Sequence, residues 1–144
     1  MDCIVDTGFN FVECYGSVLL NSELYCYFES GAFTKISNIN TFKTKKSLAT
    51  PSHHGYNTAL TGYSPNKASF IFKTGGYKNL ITMATVEVYS VDRDEWSHCQ
   101  KLNRARRGHS SCILGDKLYV SGGINNDTIE VAECSNLING SATW

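Results

Sequence analysis

The chain has little proline, no net charge and no long apolar run. Only two prolines, Pro51 and Pro65, occur in 144 residues, so long stretches are free to pair in β-sheets. The 13 basic and 13 acidic residues cancel, so bulk charge favours neither nucleic acid nor a membrane as a partner. No segment approaches the roughly 20 apolar residues that a membrane-spanning helix needs, and we expect no secretory signal at the N-terminus.

The six cysteines show no CxxC pair or other metal-ligand spacing. The adjacent histidines His53 and His54 would point apart on an extended segment, so we expect no metal site and no cofactor. Free cysteines in apolar β-like runs behave as small buried hydrophobes, which predicts a cytoplasmic protein with reduced thiols. A secreted, disulfide-bonded protein is the alternative, and the glycosylation sequons at Asn126 and Asn139 favour it.

Catalytic motifs are also missing from the sequence. No serine, cysteine or aspartate stands in a nucleophile-elbow or triad-like context. The two glycine pairs do not open helices or carry the Lys-Ser/Thr of a phosphate-binding loop. We therefore expect no catalytic residues and no enzymatic activity.

A repeated spacing is the main positive signal. Gly75-Gly76 and Gly122-Gly123 stand 47 positions apart, and Trp96 and Trp144 stand 48 apart. Each glycine pair follows a short apolar run and precedes a β-rich one. A period of this length indicates a repeat protein, because one unit cannot bury its apolar face and must stack on its neighbours.

The pattern predicts three units of short antiparallel strands. The predicted boundaries are a lead-in over 1–13, a degenerate first unit over 14–50, a second unit over 51–102 and a C-terminally truncated third unit over 103–144. In the second unit the strands are expected at Tyr56–Leu60, Ala68–Phe72, Thr85–Val91 and Glu95–Gln100, with Thr61-Gly62 in a loop. The third unit is expected to end in a strand that carries Trp144.

The repeated positions resemble a known family. The motif consists of Gly75-Gly76, the strand Val86-Glu87-Val88-Tyr89, Trp96, Leu102, Arg106, Gly108-His109 and Gly122-Gly123. It is similar to the kelch repeat, which implies four-stranded antiparallel blades arranged radially in a β-propeller, with the first strand of each blade nearest the axis. The expected fold is therefore all-β, a partial propeller of about three blades. The structural repeat positions are Gly75, Gly76, Tyr89, Trp96, Gly122, Gly123 and Trp144.

Three blades cannot close a propeller. Propellers close with about four to eight blades, so a three-blade array leaves sheet faces and strand edges open. We expect the remaining blades to come from a longer chain or from another subunit.

Charge placement indicates a candidate binding surface. Two links between blades are expected to carry basic residues, and Tyr77, Lys78, Asn79 and Leu80 form a further contact loop. The candidate basic residues are Lys43, Lys45 and Lys46 in the first link and Lys101, Arg104, Arg106 and Arg107 in the second. The opposite face is expected to carry Glu23, Asp92, Asp94, Glu95 and Asp116. The basic face would attract an acidic protein surface or peptide; the alternative is that Arg106 is the ordinary arginine of the repeat and the others only solvate loops.

The resemblance implies a binding role. We expect a non-catalytic kelch-type interaction module or scaffold, in the cytoplasm and associated with the cytoskeleton, with a protein partner. Two alternatives stay open. One is the substrate-recognition part of a ubiquitin-ligase adaptor, and the other is a fragment of a propeller enzyme of the sugar-oxidase or sialic-acid-isomerase type.

Overall fold

The computed structural model describes residues 14–28, 30–37, 43–52, 55 and 58–144. Within these residues the protein is all-β except for one short helix, and three antiparallel sheets follow one another along the chain. The predicted lead-in at 1–13 and the predictions that concern His53, His54 and Tyr56 lie outside the described residues.

The first sheet contains four strands in chain order. They are β1 (Cys14–Leu20), β2 (Glu23–Phe28), β3 (Phe33–Ser37) and β4 (Lys43–Leu48). The β1–β2 turn has positive φ at Asn21 (51°) and Ser22 (63°), as a tight hairpin turn with two central residues requires.

The second sheet also has four strands. They are β5 (Ala59–Tyr63), β6 (Phe70–Thr74), β9 (Val86–Ser90) and β10 (Glu95–His98), in the order β10-β9-β6-β5. Between β6 and β9 the chain forms a small separate hairpin of β7 (Tyr77–Lys78) and β8 (Ile81–Thr82).

The first strand of this sheet differs from the sequence prediction. Thr61 and Gly62 lie inside β5, and the reversal occurs later, where Asn66 and Lys67 have positive φ. Gly62 is needed for close packing and not for a turn. A Cβ at this position would lie 3.0 Å from Cδ1 of Leu20, which belongs to the first sheet.

The third sheet has three strands and ends in a helix. Its strands are β11 (Ser110–Leu114), β12 (Lys117–Ser121) and β13 (Ile129–Glu133), and α1 (Cys134–Asn139) follows directly. The predicted final strand with Trp144 is therefore wrong. The helix begins where Ser135 donates its backbone N–H and its hydroxyl to the Asp116 carboxylate, and it buries Cys134 and Leu137 in the core.

The three sheets are arranged radially around their first strands. β5 lies between β1 and β11 and contacts both. Asn21 Nδ2 donates to Ser69 Oγ at 2.6 Å between the first and second sheets, and the hydroxyls of Thr61 and Ser111 are hydrogen-bonded between the second and third. The structure confirms the expected fold class, a partial β-propeller of kelch type.

Apolar clusters fill the two spaces between the sheets. Between the first and second sheets, Tyr25, Tyr27 and Phe33 pack against residues of β6 and β9. Between the second and third sheets, Phe72 and Val88 pack against residues of β12 and β13. Each inner sheet face is thus buried by its neighbour, which explains why β9 is buried on both sides from Val86 to Tyr89, Glu87 included.

Candidate functional site

The link from the second sheet to the third runs along the end of the second sheet. Backbone N–H groups after β10 donate to carbonyls at and just before the start of β9: Cys99 to Val86 at 2.9 Å and Leu102 to Ala84 at 2.9 Å. These bonds fix the position of the link along the edge of the second sheet. Residues 101–108 then lead from the second sheet, whose outermost strand is β10, to β11, the first strand of the third sheet.

The two glycine pairs hold this link from opposite sides. Gly76 donates its N–H to the Arg106 carbonyl at 2.9 Å, and Ile124, next to Gly123, donates to the Arg107 carbonyl at 3.0 Å. Gly75 and Gly123 have φ of 57° and 113°, and a Cβ on Gly123 would lie 2.9 Å from the Arg107 oxygen. Glycine is needed here because the backbone approaches the link closely in a left-handed conformation.

Arg107 joins the link to the hairpin that follows the first glycine pair. Its guanidinium carbon lies 4.0 Å from the centre of the Tyr77 ring, within cation–π distance. The hairpin 77–82, the link 101–108 and the loop 124–127 therefore form one continuous surface, which we call the loop face. The sequence predicted both residues as contact residues, and the structure brings them together.

The loop face combines basic and apolar side chains. Lys78, Lys101 and Arg104 are exposed, and the loop 124–127 adds one exposed acidic residue, Asp127. Leu80, Ile81 and Ile124 are 88%, 65% and 55% exposed. Ile81 and Ile124 were missed by the sequence analysis, although an isoleucine directly after a glycine pair, as in Gly123-Ile124, is a signal that could have indicated one of them.

Arg106 is not part of this surface, contrary to the expectation that it belongs to a basic face. Its side chain is fully buried. Nη1 donates to the carbonyls of Gly122 and Thr128 at 2.9 Å each, and Nη2 lies 2.7 Å from Glu130 Oε1. The guanidinium turns inward because a carboxylate and two carbonyls there replace its hydration.

Buried glutamates on two sheets hold the incoming links. Glu130 accepts the backbone N–H groups of Asn103 at 2.6 Å and Arg104 at 3.1 Å. In the second sheet, Glu87 accepts from the Ser52 backbone N–H at 3.0 Å and pairs with Lys73 Nζ at 3.2 Å. Burial lowers the pKa of Lys73, and the charge of Glu87 opposes that change.

The lysines of the predicted first link lie elsewhere. Lys43, Lys45 and Lys46 belong to the strand β4, at the outer edge of the first sheet, so their assignment to a link is wrong. Lysines are common on edge strands, where their charge discourages pairing with another chain. Their side chains lie outside the described residues.

The acidic residues of the opposite end hold the fold together. Asp94 accepts from the Ala49 N–H at 2.9 Å and from the Tyr89 hydroxyl at 2.7 Å. Glu23 pairs with Lys35 at 2.7 Å. The carboxylates of Asp94 and Glu23 therefore already make hydrogen bonds or an ion pair within the chain.

His109 has a structural position beside the glycine pair. Its Nε2 lies 2.9 Å from Thr74 Oγ1, and burial together with the nearby charge of Arg106 lowers its pKa to about 4. Its predicted equivalent His54 lies outside the described residues. Across the described part of the chain there is no group of three or more metal-binding side chains, and no helix there has the length and apolar character needed to cross a membrane.

Comparisons with known proteins agree with this architecture. Residues 105–136 match the family model of the kelch motif. The chain is 38% identical over 53 residues to Kelch-like protein 26 of Danio rerio, and 44% identical over 50 residues to Kelch-like protein 21 of Mus musculus and of Homo sapiens. These segments cover 37%, 35% and 35% of the chain, and 9%, 8% and 8% of the relatives.

The chain thus spans less than a tenth of the length of the relatives that it matches. The matched motif contains the buried pair of Arg106 and Glu130 and the second glycine pair. The resemblance to the kelch repeat is therefore confirmed.

Proposed function

We propose that this chain is a non-catalytic protein-interaction module that binds a partner through the loop face. The observation that carries the proposal is the contact between Arg107 and Tyr77. Together with the backbone bonds at the glycine pairs, it orders three loops from two sheets on a rigid scaffold. Loops held in this way are typical recognition surfaces.

The side chains of the loop face indicate the chemistry of the partner. Apolar Leu80, Ile81 and Ile124 lie among the exposed cations Lys78, Lys101 and Arg104. A peptide or surface that combines acidic and apolar residues fits this arrangement. Burying apolar area stabilises a complex by about 25 cal/mol per Å², whereas an exposed ion pair contributes about 0.2–1 kcal/mol. The charges would mainly raise the association rate and set the orientation.

Selection from a phage-displayed library of random peptides tests this proposal. We expect enriched peptides to combine aspartate or glutamate with leucine or an aromatic residue. Arg104→Glu should weaken binding of the selected peptide, and the loss should shrink as salt rises, because the Debye length is only about 8 Å at physiological ionic strength.

Arg93→Glu is the matched control, because Arg93 is an exposed arginine in the turn between β9 and β10, at the opposite end of the sheet. It makes the same charge change and should leave binding unchanged. Enriched peptides without acidic residues, or equal losses in both variants, would overturn the assignment.

We also propose that further blades pack against the third sheet. Phe72 and Val88 face each other across strands and are buried by that sheet. Tyr119 and Val131 hold the corresponding positions and are only partly buried, while neighbouring Ile129 is 66% exposed. This repetition supports a further blade from a longer chain or another subunit. A stable monomer of 15.9 kDa in solution would contradict it.

We propose two alternative wider roles for the module. A scaffold in a cytoplasmic or cytoskeletal assembly would form a persistent stoichiometric complex. The substrate-recognition part of a ubiquitin-ligase adaptor would exchange its partner reversibly. The five described cysteines are all free, which fits a cytoplasmic location. The dissociation rate of the natural complex distinguishes the two roles.

A further inference from the structure

Two cysteines lie close together on one face of the first sheet. Cys14 is opposite Phe28, and Ser17 is opposite Cys26, with a β-bulge between Cys14 and Gly16. Since side chains alternate along a strand, Cys26 and Phe28 project from the same face. Cys14 is therefore the diagonal cross-strand neighbour of Cys26 on that face.

The two thiols differ in environment. Cys14 is exposed, and Cys26 is buried. A hydrogen bond from the Cys26 thiol is the main cause that lowers the pKa of Cys14 to about 6, against the opposing effect of burial. The same contact, with burial, raises the pKa of Cys26. The pair thus combines an accessible thiol whose pKa is lowered with a buried neighbouring thiol, which is the arrangement of an attacking and a resolving cysteine.

The other described cysteines lack this arrangement. Burial raises the pKa of Cys99 and of Cys134 to about 12. Cys112 is exposed, but it lies on the third sheet, far along the chain from this pair.

We propose that Cys14 and Cys26 form an oxidation site, at which a hydroperoxide produces a disulfide between β1 and β2. The Cys14 thiolate attacks one oxygen of the hydroperoxide and the O–O bond breaks. Cys14 becomes a sulfenic acid, and the other oxygen leaves as hydroxide or alkoxide and takes up a proton. The Cys26 sulfur then attacks the Cys14 sulfur, the S–O bond breaks, and water leaves with the Cys26 proton. With hydrogen peroxide, two thiols and one peroxide yield one disulfide and two waters.

The disulfide would join the two inner strands of the first sheet. β1 also lies against β5 of the second sheet, so the crosslink would act where the sheets meet. Closing the chain between residues 14 and 26 constrains the unfolded state, and we expect oxidation to raise the melting temperature.

Titration with hydrogen peroxide at pH 7, followed by thiol counting in denaturant, tests this site. We expect the count to fall from six to four, and the mass of the intact chain to fall by two hydrogens. Glutamyl endopeptidase cleaves after Glu13, Glu23 and Glu29, which places the two cysteines on separate peptides. These peptides should appear linked and separate on reduction.

Cysteine variants test whether Cys14 and Cys26, and not another pair of cysteines, form the disulfide. Cys14→Ser, at an exposed position, should retain all five of its thiols under the same treatment, and Cys112→Ser should still lose two. Cys26→Ala removes the resolving thiol together with the interaction that lowers the pKa of Cys14, so it should form no disulfide and should accumulate a dimedone-labelled Cys14 sulfenic acid only slowly. Loss of two thiols from Cys14→Ser, a linked peptide that contains Cys3, or an unchanged count of six in the wild type would overturn the proposal.

Discussion

Trp96 and Trp144 make the same hydrogen bond in successive repeat units. Each indole Nε1 donates at 2.8 Å to a backbone carbonyl of the segment that leads into its own unit, Ala49 for Trp96 and Gln100 for Trp144. Trp96 lies in β10, whereas Trp144 follows a helix. The repeat therefore preserves the indole hydrogen bond even in the third unit, where the tryptophan does not lie in a strand.

Trp96 should stabilise the joint between the first two sheets through its ring and its N–H. The ring packs edge-on against Phe33, with centroids 5.1 Å apart. Trp96→Phe removes mainly the hydrogen bond and should cost about 1 kcal/mol of unfolding free energy. Trp96→Ala also removes the packing and should cost about 3 kcal/mol. Urea denaturation followed by circular dichroism measures both, and equal losses would show that the ring contributes nothing.

Glu130 should be essential for the stability of the fold because its carboxylate neutralises the buried guanidinium of Arg106. Glu130→Gln leaves Arg106 without its ion pair and weakens the acceptor for the N–H groups of the link. Breaking a buried pair from one side costs about 3–5 kcal/mol. Glu133→Gln makes the same change at an exposed position of the same strand and should stay within about 0.5 kcal/mol of wild type. Similar melting temperatures for the two variants would refute this role.

Alanine substitutions at Gly75 and Gly115 should distinguish the cost of a steric clash from the cost of left-handed backbone strain. Both have positive φ, 57° and 62°. A Cβ on Gly75 would collide with the Arg106 carbonyl and lie 2.6 Å from His109 Cε1, whereas a Cβ on Gly115 would meet nothing within 4 Å. Gly115→Ala should therefore cost only about 1–2 kcal/mol, the left-handed penalty. Gly75→Ala should cost clearly more in the same denaturation assay; the reverse order would mean that the link does not press on the glycine pair.

His109 should make the protein less stable in mild acid. Its pKa in the folded protein is about 4, below the ordinary 6.5, because of burial and the charge of Arg106. Between these values the unfolded chain binds more protons than the folded one, so the unfolding free energy falls as pH drops from 6.5 towards 4. Above pH 6.5 the contribution of the neutral imidazole is complete.

The comparison of wild type with His109→Gln isolates this effect. The difference between their unfolding free energies should decrease as pH falls through that window, and NMR titration of the wild-type imidazole should give a midpoint near 4. A midpoint near 6.5, or a difference that does not depend on pH, would contradict the buried position.

Much of the architecture could be read from local sequence signals. The spacing of 47 between the glycine pairs reflects backbone conformations that glycine alone adopts easily, and strands such as Val86–Ser90 have the composition of β-structure. These properties belong to single residues and short segments, so they are visible without the fold.

The candidate site was only partly predictable. The sequence indicated Tyr77 and Arg107 separately, but their contact depends on how the link is held between two sheets. Arg106 and Arg104 look alike in sequence; one is buried against Glu130 and the other is exposed. The difference depends on a partner more than twenty positions away.

The sequence by itself determined a β-rich repeat with its period, its glycine turns and its tryptophans, because local conformation and hydrophobicity set these features. Only the tertiary structure decided that Gly62 lies within a strand, that the chain after β13 becomes a helix, and which basic side chains face solvent. Those outcomes depend on the packing of Leu20, the hydrogen bonds of Asp116 and the charge of Glu130. Each acts across a contact between segments that are distant in sequence, which no local pattern encodes.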